Sequence, residues 1–469
     1  MDPFEAGFGL TLPRATRTAL WARTGERLEA YLAALPGLPV SPGDVHADLA
    51  AFDFQTPMDP LAVVDAAADM LQAFNLNTAH PAYFGVFNPA AATMGIAADA
   101  LVAAFNPQLA SSASARACIA IEDHLLAYFG AKFGYDLVRG SFQSGGTTAN
   151  YTALQCALTA HVPGYGTEGV GPARPVLYTS TETHHSILRA ARMSGLGTSA
   201  VVALPVGPDL RFDVAALRAR IHADRNQGKH PLFLVATLGS TSSGTFDDVA
   251  ALAEVAQTEG MWLHADAAWG GAAILLEECA PLFEGIRLAD SITLDAHKWL
   301  SVPMGAGMFL TRHPDVQEAT FRVDQSPYMP GHTYESAETE PYKQSIEWSR
   351  RFIGLKLFMA LAAHGEAGYQ AVLRHQIAMG AYMRERLAAT GWELVNDSPL
   401  PVVCFWAPGL DPEAVARQVA DSGKSWITPT KLNGRGVLRA GIPNFATQRE
   451  HVDVLIDVLQ GCKPGTPAP

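Results

Sequence analysis

An α/β fold, with a largely parallel sheet and helices on both of its faces, follows from three features of the sequence. Short apolar runs at residues 176–179, 200–204, 232–237, 262–265 and 292–294 alternate with amphipathic segments near 186–194, 214–223 and 249–259, which is the pattern of βα units. Two runs lead straight into charged side chains, Asp266 and Lys298, and an earlier strand-like stretch gives way to Gly145 and Gly146 before a helix. Ligands of such sheets sit at the carboxyl ends of the strands, so these three features fall on one edge.

Taken in order, residues 15–35 read as an amphipathic helix, and the Gly/Pro-rich residues 37–43 break it. Residues 80–89 (His-Pro-Ala-Tyr-Phe-Gly-Val-Phe-Asn-Pro) are too rich in aromatic residues, Pro and Gly for regular structure and suit a loop, either core-packing or pocket-lining. Residues 105–114 are a polar break before a helix at 115–129. In residues 140–150 a strand turns at Gly145 and Gly146 into a helix opening on Thr147 and Thr148, both acceptable N-cap types. Free amides at such a turn suit a phosphate. The motif is neither a Walker loop nor a Gly-x-Gly-x-x-Gly dinucleotide loop.

A loose segment at 163–175 precedes the βα units. His184 and His185 stand at a helix start, where adjacent residues cannot share one face; with no Glu or Cys at ligand spacing, no metal site is expected. Residues 236–245 follow a strand with hydroxyls and glycines and admit an ordinary Ser/Thr turn. Lys298 admits two readings. Its stem could lie on apolar surface with the ammonium in water, or its amine could be desolvated to form a Schiff base with a carbonyl. Asp266 on another strand end favours the second, because pyridoxal phosphate needs a lysine for its aldehyde and a carboxylate for its ring nitrogen.

Residues 305–311 look like a strand returning to the sheet, and residues 321–340 form a long irregular segment, a lid or a disordered loop. The apolar spacing of residues 348–361 is that of a helix core, and the adjacent Arg350 and Arg351 keep a substrate carboxylate open. From about residue 366 a small α+β lobe is expected. It has strands at 392–395, 401–406 and 437–442, a helix at 412–422, and a last helix that starts on a capping box from Thr447 to Glu450.

A chain of 469 residues, 48% hydrophobic, can bury a large core. Its formal charge of −13 comes without an acidic tail or basic block, which argues against nucleic acid as a partner. Five scattered cysteines without a Cys-x-x-Cys pair fit reduced thiols. With neither a signal pattern nor a bilayer-length apolar run, a soluble cytoplasmic protein is expected.

The paired stretches His-Ala-Asp-Ala-Ala (264–268) and Asp-Ala-His-Lys-Trp (295–299) resemble those of the group II pyridoxal-phosphate decarboxylases. That family includes aromatic amino acid, glutamate and cysteine sulfinate decarboxylases, and the pattern here is nearest to the aromatic-L-amino-acid enzymes. The resemblance runs from about His80 to Leu455. It implies fold type I, the aspartate aminotransferase-like fold, in a homodimer with its sites at the interface. It further implies an N-terminal dimerisation segment at 1–75, a large cofactor-binding domain at 76–365 and a small C-terminal domain at 366–469.

The same resemblance implies pyridoxal 5'-phosphate on Lys298, with Asp266 at the ring nitrogen and His184 stacked on the ring; His185 is the choice if the register slips by one. Ala268, His297 and Thr241 join the cofactor site, and Gly146, Thr147 and Thr148 take the phosphate. Tyr328 returns a proton to carbon after carbon dioxide leaves, with Tyr334 as its competitor. Tyr83, Phe87, Asn88 and Ser349 face the substrate side chain. The expected activity is decarboxylation of an L-amino acid of the tyrosine, dopa or tryptophan kind to its amine. An acidic substrate, an aldehyde-forming or aminotransferase relative, and an inactive regulatory paralogue are the alternatives.

Overall fold

The computed structural model of the chain describes residues 10–43, 45–50, 52–323 and 340–462. Its main sheet has seven strands: β1 (Arg139–Gln143), β2 (Pro175–Ser180), β3 (Val201–Leu204), β4 (His230–Thr237), β5 (Trp262–Asp266), β6 (Ser291–Asp295) and β7 (Gly307–Thr311). They lie in the order β1-β7-β6-β5-β4-β2-β3. β7 runs antiparallel to both its neighbours, and the pairs from β6 across to β3 are all parallel.

Before the sheet come α1 (Arg14–Ala34), α2 (Pro60–Phe74), α3 (Thr93–Phe105) and α4 (Ser112–Lys132). The crossover helices are α5 (Gly146–His161), α6 (Ser186–Met193), α7 (Val214–Asn226) and α8 (Val249–Glu259). Local chemistry sets their ends. Asp213 accepts from the amide of Ala216 and Asp248 from that of Ala251, which satisfies amides that open α7 and α8. α8 stops at Gly260, whose φ of +64° suits a residue without Cβ.

Both faces of the sheet are covered, and its strands sort their side chains with period two. Phe233 and Val235 of β4 pack with Leu154 and Leu158 of α5 and Ile187 of α6. Leu234 and Ala236 point the other way, toward Leu217 of α7 and Leu252 of α8.

Beyond α9 (Pro314–Phe321), the long α10 (Leu355–Ala389) is interrupted at Gly365, where φ is +65° and ψ 172°. A second sheet follows, antiparallel throughout, in the order β10-β11-β9-β8: β8 (Glu393–Leu394), β9 (Val402–Trp406), β10 (Thr428–Leu432) and β11 (Arg435–Gly441). It packs with α11 (Pro412–Asp421) and α12 (Arg449–Gly461) around a separate apolar cluster that includes Val403, Phe405, Leu438 and Ile456.

Two local expectations need correction. β10 was not among the expected strands; Thr-Pro-Thr-Lys-Leu is polar and forms an edge strand, where polarity is tolerated. The cap of α12 is Gln448 paired with His451, not Thr447 with Glu450. The Thr447 hydroxyl donates instead to the carbonyl of Pro81 at 2.7 Å.

Candidate active site

β5 and β6 are adjacent and parallel, with Asp266 opposite Thr293, so their carboxyl ends open on one cavity of about 430 Å³. Asp266 ends β5 and is 6% exposed. One of its oxygens accepts from Asn150 Nδ2 at 2.8 Å and the other from the Ala268 amide at 3.2 Å. Asp295 ends β6, and a tight turn then brings Lys298 back beside it, with the Lys298 amide on the Asp295 carbonyl at 3.1 Å. The Lys298 ammonium stands 3.0 Å from Asp295 Oδ2.

The glycine turn forms a third wall. A Cβ on Gly146 would come within 2.8 Å of Asp295 Oδ2 and 3.2 Å of the Ala268 methyl, so a side chain there would fill the cradle. Thr147 and Thr148 line the cavity, but the Thr148 hydroxyl turns back to the Gly145 carbonyl at 2.8 Å. Thr241 also lines the cavity.

Two cavity histidines are held toward their neutral forms. The His184 ring reaches water through the open cavity, yet the surrounding protein desolvates it enough to lower its pKa, and Asp266 only partly offsets that loss. The Ser186 amide donates to its Nδ1 at 3.2 Å. His297 is 6% exposed; burial lowers it as well, and the Ala306 amide donates to its Nδ1 at 3.2 Å. His185 is exposed, caps the start of α6, and is not on the cavity wall.

The residues expected around the substrate side chain divide. Phe87 is buried and stacks on Trp269, a cavity wall, with centroids 4.2 Å apart and planes at 17°. Trp269 in turn stacks on Trp299 at 5.2 Å. Tyr83 packs in the core of the second sheet, and its hydroxyl accepts from the Val86 amide at 3.2 Å. Asn88 is half-buried beyond the cavity wall. Ser349 is exposed and accepts from Gln108 Nε2 at 2.9 Å, also outside the cavity of this single chain. Tyr328 and Tyr334 lie outside the described residues.

Neither Arg350 nor Arg351 is free for a substrate. Arg350 makes a two-pronged ion pair with the buried Glu122, and Arg351 meets Asp99 at 3.0 Å. The cation that the sequence reading missed is Arg439 on β11. It is 2% exposed, donates to the carbonyls of Thr241 and Gly85 at 2.6 and 2.5 Å, and lies 4.6 Å over the Phe87 ring. Burial pushes it down to about 10, and among the described residues its Nη2 has no hydrogen-bond partner. Asn150, Asp295 and Trp269 were missed too. Asn150 sits one helical turn after Gly146, a spacing that puts both on one face of α5.

A sequence model of the pyridoxal-dependent decarboxylase conserved domain matches residues 42–408. An aromatic-L-amino-acid decarboxylase of Bacillus atrophaeus is 31% identical over 371 residues, which cover 76% of each chain. An L-aspartate decarboxylase of Metarhizium robertsii is 32% identical over 289 residues, 61% of this chain and 57% of that protein. Among solved structures, Oryza sativa TDC with PLP and tryptamine has the same fold, with a TM-score of 0.87 at 22% identity over 96% of this chain and 98% of that one.

Proposed function

The chain belongs to the pyridoxal-dependent decarboxylase family, and from that premise we propose that it takes carbon dioxide from an aromatic L-amino acid, of the tyrosine, dopa or tryptophan kind, and leaves the amine. Its cofactor is pyridoxal 5'-phosphate, and the residues present fit that group. Asp266 is a buried carboxylate on the cavity with no ion pair among the described residues, which suits a protonated ring nitrogen.

When bound, the cofactor supplies an electron sink for the bond that breaks. In this reading Lys298 holds its aldehyde and Asp266 its ring nitrogen. His184 packs on the ring, and Ala268, His297 and Thr241 complete the surround. Gly146, Thr147 and Thr148 take the phosphate at the positive end of α5, with the amides of Gly146 and Thr147 as donors, since the Thr148 amide already donates to the Gly145 carbonyl at 3.1 Å. Tyr328 delivers the proton to the carbon that has lost its carboxylate.

One observation carries the aromatic preference. Lys298 is the sole Lys or Arg among the described residues lining the cavity, and it is committed to the cofactor. A substrate side chain therefore meets the Trp269 wall, backed by Phe87, and no arginine. A second reading, an acidic substrate, is favoured by Arg439: it is a buried cation with no carboxylate partner among the described residues, one aromatic ring behind that wall.

A homodimer belongs to the same reading. Neither α1 nor α2 buries a residue in the single chain, and Trp21 and Phe105 are 64% and 81% exposed. Residues 1–75 then form the dimerisation arm, 76–365 and 366–469 are the two domains, and Ser349 serves the neighbouring site. Among the described residues no helix is long and apolar enough to cross a membrane; the cytoplasm is the proposed location.

Carbon dioxide release from tyrosine, dopa, tryptophan, aspartate, glutamate and cysteine sulfinate tests the substrate. An aromatic substrate is expected to lead in kcat/KM by at least about a hundredfold, ~2.7 kcal/mol of discrimination. An acidic amino acid in first place, with its turnover lost in Arg439→Met, establishes the second reading instead.

A further inference from the structure

Behind Asp266 lies a chain of buried hydrogen bonds with a single direction, and Asn150 is its hub. The Asn150 carboxamide is 1% exposed and makes four bonds. Its Nδ2 donates to Asp266 Oδ2 and to Ser186 Oγ, both at 2.8 Å. Its Oδ1 accepts from Thr293 Oγ1 at 2.7 Å and from His264 Nε2 at 3.0 Å. His264 Nδ1 lies 2.8 Å from Ser291 Oγ, which receives Trp262 Nε1 at 2.9 Å.

Donor and acceptor capacities fix the polarity of this chain. An ionised Asp266 can only accept, so the Asn150 amide group faces it and the Asn150 oxygen faces Thr293 and His264. His264 must then carry its one proton on Nε2, and its bare Nδ1 takes the Ser291 hydroxyl proton. A lone pair of Ser291 is left for the indole N–H of Trp262. Burial holds His264 down to about 4, so it stays neutral through the physiological range. Every member is satisfied, and such a network resists rearrangement in a low dielectric.

The hub also joins the elements that carry the site. Asn150 is on α5, which follows the glycine turn, and Ser186 opens α6, two residues after His184. His264 and Asp266 alternate along β5, and Ser291 and Thr293 alternate along β6, which ends three residues before Lys298. His264 lies opposite Ser291 and Asp266 opposite Thr293, so both strands turn one polar face toward α5.

We propose that Asn150 is the positioning residue of the cofactor site: with neutral His264 behind it, its amide keeps the Asp266 carboxylate oriented as an acceptor for a cationic ring nitrogen. The inference rests on the proposed role of Asp266, and it assigns functions to Asn150, His264, Thr293 and Ser291.

Titration of cofactor-stripped protein with pyridoxal 5'-phosphate, followed by absorbance, tests it, with circular dichroism and a thermal melt of each stripped variant as the folding control. Asn150→Asp replaces the donor with a second carboxylate oxygen and is expected to weaken cofactor binding by about tenfold or more. His264→Gln keeps a donor toward Asn150 and an acceptor toward Ser291, and is expected to bind within about threefold of wild type; His264→Leu, which has neither, loses affinity as Asn150→Asp does. Equal affinity in wild type and folded Asn150→Asp overturns the proposal. So does equal loss in the glutamine and leucine variants, and that pair decides if Asn150→Asp does not fold. If Asp266→Asn binds the cofactor like wild type, the role of Asp266 is at fault instead.

Discussion

Lys298 and Asp295 meet because the chain doubles back three residues after β6 ends, and the resulting ion pair aims the amine along the cavity wall. Lys298→Ala is expected to lower carbon dioxide release by at least about a thousandfold, ~4 kcal/mol of barrier. It also leaves no pyridoxyl group fixed by borohydride on the peptide that carries position 298; a variant that still decarboxylates within about tenfold of wild type puts the attachment elsewhere. Gly146→Ala sets a methyl group 2.8 Å from Asp295 Oδ2, on a carboxylate that is 2% exposed and held by Lys298 at 3.0 Å. The expected result is cofactor affinity reduced about tenfold, read by absorbance titration. Asp266, Lys298 and the glycine turn were legible because charged or backbone-open residues ending buried strands need a reason. Asn150 was not, since an asparagine inside a helix is unremarkable until the fold sets it against Asp266. Arg350 misled for a related reason: its partner Glu122 lies 228 residues away.

Helix and strand order in the main sheet could be read from the alternation of apolar runs, but the faces of β5 and β6 could not. Both were taken as plain apolar strands, whereas Trp-Leu-His-Ala-Asp and Ser-Ile-Thr-Leu-Asp alternate and turn their polar residues toward α5. In the second sheet Asn433 and Gly434, with φ of +48° and +78°, turn β10 into β11. Asn-Gly is a strong hairpin signal. Ahead of α10, Glu122 of α4 holds Arg350 and also accepts from the amides of Ile353 and Gly354 at 3.2 and 3.0 Å. Arg350→Ala strands that buried carboxylate, and urea unfolding is expected to show a loss of about 3–5 kcal/mol. A loss below about 1 kcal/mol would mean that the pair does not anchor the segment.

Across the whole molecule, acid is expected to weaken the fold before any carboxylate pair is titrated. His80, His161, His184, His264, His297 and His451 all have lowered pKa values, with burial as the main cause. As pH falls below the ordinary 6.5, the unfolded chain takes up protons that the folded one refuses, so stability drops from there toward about 4, the value for His264. Asp247, raised to about 6, and Glu182 act in the opposite sense: they hold protons in the folded state that the unfolded chain has lost. Among the described residues, six groups against two set the sign. The melting temperature of cofactor-free protein should fall by more than about 2 °C between pH 7 and pH 5, and a flat profile contradicts this balance.

Arg439 ties the second sheet to the segment that follows β4, behind the cavity wall. From β11 its guanidinium reaches the carbonyl of Thr241 on one side and that of Gly85 on the other. A hinge motion of the C-terminal lobe would carry Gly85 with it, since Phe84 is hydrogen-bonded to Trp426 and Gly441, but would pull a buried positive charge off the Thr241 oxygen, at a cost that substrate contacts alone would have to repay. The lobe therefore behaves as a fixed jamb and not as a swinging jaw. Backbone amides of β11 should exchange with deuterium at the same rate whether or not an amino acid occupies the cavity.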